Sequence, residues 1–149
     1  MLHGETWRDF RFLIGEWEAR GGGEPGVGRG SFRFALELAG KVLIRTSRVE
    51  YEATPERPAF THEDLAILYH EGERVCATYF DSEGHVIRYA VEATSDGCVW
   101  LSETAPGPRF RLTYRQLRAD ELSVRFEIAT PDDPDRFATH VEGAARRRR

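Results

Sequence analysis

A chain of 149 residues, 40% hydrophobic and 31% charged, is long enough to bury one substantial core and too apolar to be intrinsically disordered. The net charge is −4 even with the four arginines Arg146 to Arg149 at its end, so the body is more acidic still and no nucleic-acid partner is expected. No run approaches the ~18 apolar residues of a membrane span, and "MLHGETWRDF" lacks the basic-then-apolar pattern of a secretory leader.

These features predict a single domain over residues 1–149, cytoplasmic, with 146–149 as a solvated, frayed basic tail. Cys76 and Cys98 lack metal-site spacing and read as small apolar fillers.

In chain order, "TWRDFRFLIG" predicts a short amphipathic helix, with Thr6 as N-cap and Trp7, Phe10 and Leu13 or Ile14 at helical spacing. "GEWEARGGGEPGVGRG" follows as a bending first strand and a flexible turn; it lacks the Lys-Ser/Thr of a phosphate loop. Strict alternation then takes over. "SFRFALEL" puts Phe32, Phe34, Leu36 and Leu38 on one face, and "VLIRTSRVEY" follows the tight "AGK" turn. "EDLAILYH", "RVCATYF", "HVIRYAVEA", "CVWLSE", "RFRLTYRQL", "LSVRFEIA" and "FATHVEGA" continue the pattern, separated by turn-forming stretches such as "DSEG" and "TPDDPD". That is about ten strands. Short turns make neighbours antiparallel, and closure protects the edges. The fold class expected is therefore all-β, an antiparallel up-and-down barrel with the helix plugging one end.

Four groups of side chains could carry chemistry. His140 sits in the last strand, and its direction depends on parity. If Phe137 and Val141 face the core it points to solvent; if the small Ala138 and Ala144 mark the cavity side it points inward. A second group is Tyr79, His85, Arg88 and Tyr89, where a guanidinium and a phenol could hold a carboxylate. Arg88 and Tyr89 are adjacent on a strand, so only one of them can face a given cavity, and Arg45 is the other basic candidate. Third, "THEDL" gathers His62, Glu63 and Asp64, which could supply a base or a metal ligand. Fourth, the row Arg109, Arg111, Thr113, Arg115 reads as exterior, paired with acids such as Glu127. No nucleophile–base pair stands out.

Gly15-Glu16-Trp17, placed between a helix and a strand meander, resembles the barrel-closing motif of the calycins, the group of lipocalins and fatty-acid-binding proteins. That resemblance implies that Gly15 and Trp17 close the barrel, with a late-strand arginine packed on the indole. "GEWEARGGGEPG" with the ending "RFATHVEGAARR" is also similar to nitrobindin-type haem-binding barrels. It implies haem b as cofactor, with His140 as proximal ligand to the iron. The middle of the chain resembles a bacterial calycin-like branch without settled activity. The function expected is thus a non-catalytic carrier of a lipophilic or planar small molecule, haem foremost. The alternatives are a fatty-acid or anionic lipid carrier, with the carboxylate on Arg88 or Arg45 and a tyrosine, and a small enzyme using His62 or His85 as base. Exposed apolar residues on one wall could pair two copies as a homodimer.

Overall fold

The alternation in the sequence becomes ten antiparallel strands in a computed structural model that describes residues 6–23, 28–103 and 106–149. The strands are β1 (Gly15–Gly23), β2 (Gly28–Glu37), β3 (Val42–Tyr51), β4 (Phe60–Glu71), β5 (Arg74–Asp81), β6 (Val86–Ala93), β7 (Gly97–Ser102), β8 (Arg109–Arg118), β9 (Glu121–Ala129) and β10 (Ala138–Arg147). Each pairs with its sequence neighbour, and β10 returns to pair with β1, closing the barrel. The expected turn around Pro25 lies outside the described residues.

The helix differs from expectation in kind. It is a 3-10 helix over Arg8–Leu13, with Trp7 rather than Thr6 in the cap position. Trp7, Phe10 and Leu13 recur every third residue, which aligns them on one face at three residues per turn, and all three are buried. They plug the end of the barrel. Trp7 Nε1 donates to the Gly40 carbonyl (2.9 Å) in the β2–β3 turn, and its ring meets His70 edge-on at 4.5 Å.

The plug is locked by the seam between the first and last strands. Trp17 is fully buried, donates through Nε1 to the Leu13 carbonyl (2.8 Å) and stacks on Phe32. Across the seam its register partner is Arg147, whose guanidinium lies 4.3 Å from the indole centroid. Arg147 also donates to the carbonyls of Ile14 and Phe12. Gly15 has φ +132°, and a Cβ there would collide with that guanidinium, so glycine is the residue that fits. The terminal arginines are consequently not a frayed tail. β10 runs through Arg147, and the Arg148 backbone N–H still donates to the Glu16 carbonyl.

Above the plug, Phe34, Leu43, Leu68, Trp100, Tyr114 and Leu122 fill the barrel, each less than 2% exposed. Burial of that kind contributes about 1.5–3 kcal/mol per large side chain. The outer wall carries one apolar row across β4–β6, where Leu65 pairs with Phe80 and Phe80 with Val86, all three exposed. Exterior arginines pair with acids as expected; Arg111 makes a bidentate contact with Glu127 at 3.0 and 2.9 Å.

Arg147→Ala is expected to destabilise the protein by about 2–4 kcal/mol in urea unfolding, because it removes the stacked cation and leaves the partly buried carbonyls of Phe12 and Ile14 without their donor. A loss below about 0.5 kcal/mol, the range of an ordinary surface substitution, would show that the seam does not depend on it.

Candidate functional site

The aromatic layer fills only one half of the barrel. Beyond it a cavity of about 660 Å³ opens between the β3–β4, β5–β6 and β9–β10 connections, within the usual range for small-molecule sites, roughly 300–1,000 Å³. Much of its wall is apolar: Val49, Ile87, Leu112, Val124 and the stacked rings of Phe110 and Phe126, 5.7 Å apart. A shallower groove of about 570 Å³ runs outside β1–β5, among strand-facing pairs such as Arg48 with Glu63. Such exposed pairs contribute little and are screened by salt.

His140 lines the cavity, and the reason lies in a β-bulge. Along β10, Thr139 pairs with Glu127 and Val141 with Phe126, so His140 is an extra residue with no partner in β9. Val141, Gly143, Ala145 and Arg147 keep the inward phase, while Glu142, Ala144 and Arg146 are exposed. The bulge adds His140 to the inward set beside Val141. Neither simple alternation held along the whole strand: Ala138 pairs with Ile128 of the cavity wall and shares its face, Ala144 lies on the outer face, and His140 is half-buried and faces the cavity together with Val141. Its ring meets Phe126 edge-on at 5.9 Å, and among the described residues it has no hydrogen-bond or ion-pair partner. At Gly143 a Cβ would collide with the Arg20 backbone carbonyl, so β1 and β10 approach closely beside it.

The opposite wall is polar and connected. Inward phase on β3 carries Leu43 and Arg45; on β4 it carries His62, Asp64, Ala66 and Leu68. Arg45 is 5% exposed and donates to Asp64 (2.6 Å) and to the Tyr114 hydroxyl (2.7 Å), with its guanidinium 5.3 Å from the Trp100 ring centroid. The Asp64 carboxylate lies 3.6 Å from His62 Nε2, which also bonds the Tyr79 hydroxyl at 3.0 Å. Tyr79 donates onward to Asp81 (2.9 Å), and Asp81 accepts from His85 at the rim. A chain of polar contacts thus runs from the packed core to the mouth.

Its electrostatics follow from burial and pairing. Burial works against the Arg45 charge, but Asp64 and Tyr114 more than offset it and hold its pKa above the ordinary value. Burial would likewise raise Asp64; Arg45 and His62 overcome it, and the carboxyl is held below the usual range. Asp64 raises the His62 pKa despite partial burial. Burial pushes Tyr114 up to about 12 and also raises Tyr79, so both phenols act as neutral hydrogen-bonding groups at neutral pH.

The expected carboxylate clamp does not form. Tyr79 and Tyr89 face inward and meet edge-on, but Arg88 is exposed on the outer face of β6, opposite Thr78. His85 is an exposed rim residue tied to Asp81. Arg45 does face the cavity, but Asp64 already holds the place a ligand carboxylate would take. The roles of Asp81 and Glu83 were not visible in sequence, since "DSEG" reads only as a turn. Asp64 and Tyr114 did share the phase of buried neighbours, a signal that could have found them.

No protein-family model matches the chain, and neither does any curated protein. Among solved structures, Rv2717c from M. tuberculosis superposes with a TM-score of 0.69 at 17% identity, covering 97% of this chain and 98% of that one. The S-type phycobiliprotein lyase CPES from Guillardia theta superposes with a TM-score of 0.55 at 9% identity, covering 100% and 93%. Identities this low carry the fold alone. Together with the strand order, they define the class: a lipocalin- or calycin-like closed barrel of ten antiparallel strands. No helix among the described residues is long and apolar enough to cross a membrane.

Asp64→Ala is expected to cost about 3–5 kcal/mol, because it leaves the Arg45 charge buried and unpaired. Adding Arg45→Met should restore a large part of that loss. A double mutant less stable than Asp64→Ala would contradict the pairing.

The raised His62 pKa gives a second test. Its contribution to stability is complete below its ordinary value near 6.5 and is lost as pH rises through the raised, folded-state value. The lowered Asp64 pKa acts at the other end, with stability lost as pH falls through it. Between about pH 6.5 and 9 the urea midpoint should fall in the wild type and fall less in His62→Gln. Identical slopes would remove His62 from the linkage.

Proposed function

We propose that this barrel binds a lipophilic, planar small molecule in the open half of its interior, and that haem b, ligated through its iron by His140, is that ligand. The observation that carries the reading is the bulge, which turns an imidazole without hydrogen-bond partners among the described residues into an apolar cavity. Neutral imidazole is a good axial ligand, and a single one from a barrel wall suffices.

The other residues fit such a group. Phe110 and Phe126 offer a flat apolar face beside His140, and the glycine-rich β1 and β2 contribute Ala19, Gly21, Gly28 and Gly30 to the adjoining wall. At the rim Arg57 lies over Phe60, and its buried Nε has no partner among the described residues. It would supply positive charge for carboxylate groups at the mouth. Haem bound there would supply iron chemistry, gas binding or electron exchange, in a pocket partly open to water. A fatty acid is the weaker reading, because Arg45 is already paired with Asp64, and a head group held by Arg57 at the rim would leave the His140 imidazole without a role.

Titration of the untagged protein with ferric haem should give a saturating Soret shift at one equivalent. His140→Ala should weaken binding by about tenfold or more while leaving the fold intact. No shift in the wild type, or an equal shift in both proteins, would overturn the haem reading. Saturable uptake of a fluorescent fatty acid in its place would assign the cavity to lipid.

A further inference from the structure

The rim of the cavity carries a group that the haem reading does not use. His62 on β4 and Asp81 and Glu83 at the β5–β6 turn present ligand atoms that all lie within 4.8 Å of one another. The topology brings them together. Asp81 ends β5 opposite Asp64 on β4, and the Ser82 backbone N–H donates to the Glu63 carbonyl (2.8 Å), pinning the turn beside His62. The Asp81 side chain is only 3% exposed. It accepts from the backbone N–H groups of Glu83 and His85 at 3.0 Å each, as well as from Tyr79 and the His85 ring.

These contacts fix the tautomer of His62. An ionised Asp81 can only accept, so the Tyr79 hydroxyl gives its proton to Asp81 and its oxygen accepts from His62 Nε2. The same Nε2 faces the Asp64 carboxylate at 3.6 Å, again as a donor. The lone pair of the neutral ring is therefore on Nδ1, and Nδ1 lies 3.6 Å from Glu83 Oε1. A lone pair held toward a carboxylate calls for a positive charge between them, either a second ring proton or a metal ion. Histidines that ligate metals are oriented in this way, the far N–H bonded to an oxygen and the near nitrogen presented. Charge points the same way: among the described residues Arg45 is the one guanidinium in ion-pair contact with the group of Asp64, Asp81 and Glu83, so carboxylates are in excess when both imidazoles are neutral.

We infer that His62 Nδ1, Asp81 and Glu83 form a binding site for a divalent first-row transition metal at the rim of the barrel. Tyr79 and Asp64 orient the imidazole. One nitrogen and two carboxylates mix borderline and hard donors, a set suited to Zn²⁺, Co²⁺ or Mn²⁺ rather than to Cu⁺ or a calcium cage. A carboxylate offers about four lone-pair sites, and those of Asp81 are taken by its four donors. The donor that a metal displaces is the His85 ring, which is exposed. Three protein ligands leave coordination positions for water or for a donor atom of whatever occupies the cavity.

The test uses untagged, haem-free protein, titrated with ZnCl₂ by calorimetry and with CoCl₂ by visible absorption. One ion per chain is expected, with ligand-field bands in the cobalt form. Glu83 is exposed, so Glu83→Gln keeps the fold; it should weaken binding by about tenfold or more. His62→Ala should abolish binding, and His140→Ala should leave it unchanged, which separates this site from the haem reading. No saturable binding up to about 1 mM metal would overturn the proposal. So would equal affinity in Glu83→Gln and wild type, or loss of binding in His140→Ala.

Discussion

Everything at the open end of this barrel depends on how the last strand meets the first. A closed sheet has no free edge, so the register between β1 and β10 must satisfy both ends of the chain at once. Arg147 on Trp17 sets it: the guanidinium covers the indole and holds the carbonyls of Phe12 and Ile14, where the chain leaves the plug. From that anchor the inward phase runs back along β10 through Ala145, Gly143 and Val141. A one-residue slip would turn every one of these outward. The bulge at His140 adds a residue to the wall without disturbing the anchor.

The interior divides into a filled half and an open half, and the polar chain marks the boundary. Arg45 and Asp64 sit where the aromatic layer of Trp100 and Tyr114 ends and the cavity begins. A buried ion pair adds little net stability against a hydrophobic substitute. Its value here lies in what it prevents. Charged groups bonded to Tyr114 and His62 cannot fold into an apolar cluster without losing their partners, so the space above them stays open. The same wall then carries alternating acids and bases to the rim, where His62, Asp81 and Glu83 converge. One wall is thus built for charge and the facing one, around Phe110, Phe126 and His140, for an apolar surface.

Much of this was legible in the sequence because a strand repeats every two residues. Phe32 and Phe34, or Leu122 and Val124, announce their face unaided, and turn residues such as those in "DSEG" separate the strands. Gly15 and Trp17 were legible as a closing pair through the resemblance of Gly15-Glu16-Trp17 to the calycin motif, and the structure supplies the reason, with Arg147 over the Trp17 indole and no room for a Cβ at Gly15. The helix was legible in place but not in type, since spacings of three and of three to four are hard to tell apart over two turns. His140 was not legible in direction. A bulge depends on the register against the neighbouring strand, and nothing local in "FATHVEG" signals it. The metal-ligating cluster was hidden for a related reason, because His62 and Glu83 meet only through strand pairing. Arg88 illustrates the converse: composition suggested a carboxylate clamp, and strand parity alone sent the guanidinium outside.

The central claim is that β10 is bulged at His140 and so turns the imidazole into the cavity. It is tested most directly by a nuclear Overhauser spectrum of the ligand-free protein with labelled histidine and phenylalanine. The account predicts cross-peaks between the His140 imidazole and the Phe126 ring, together with cross-strand contacts that pair Val141 with Phe126 and Thr139 with Glu127. An unbroken ladder pairing His140 with a β9 residue, and an imidazole without contact to Phe126, would contradict it.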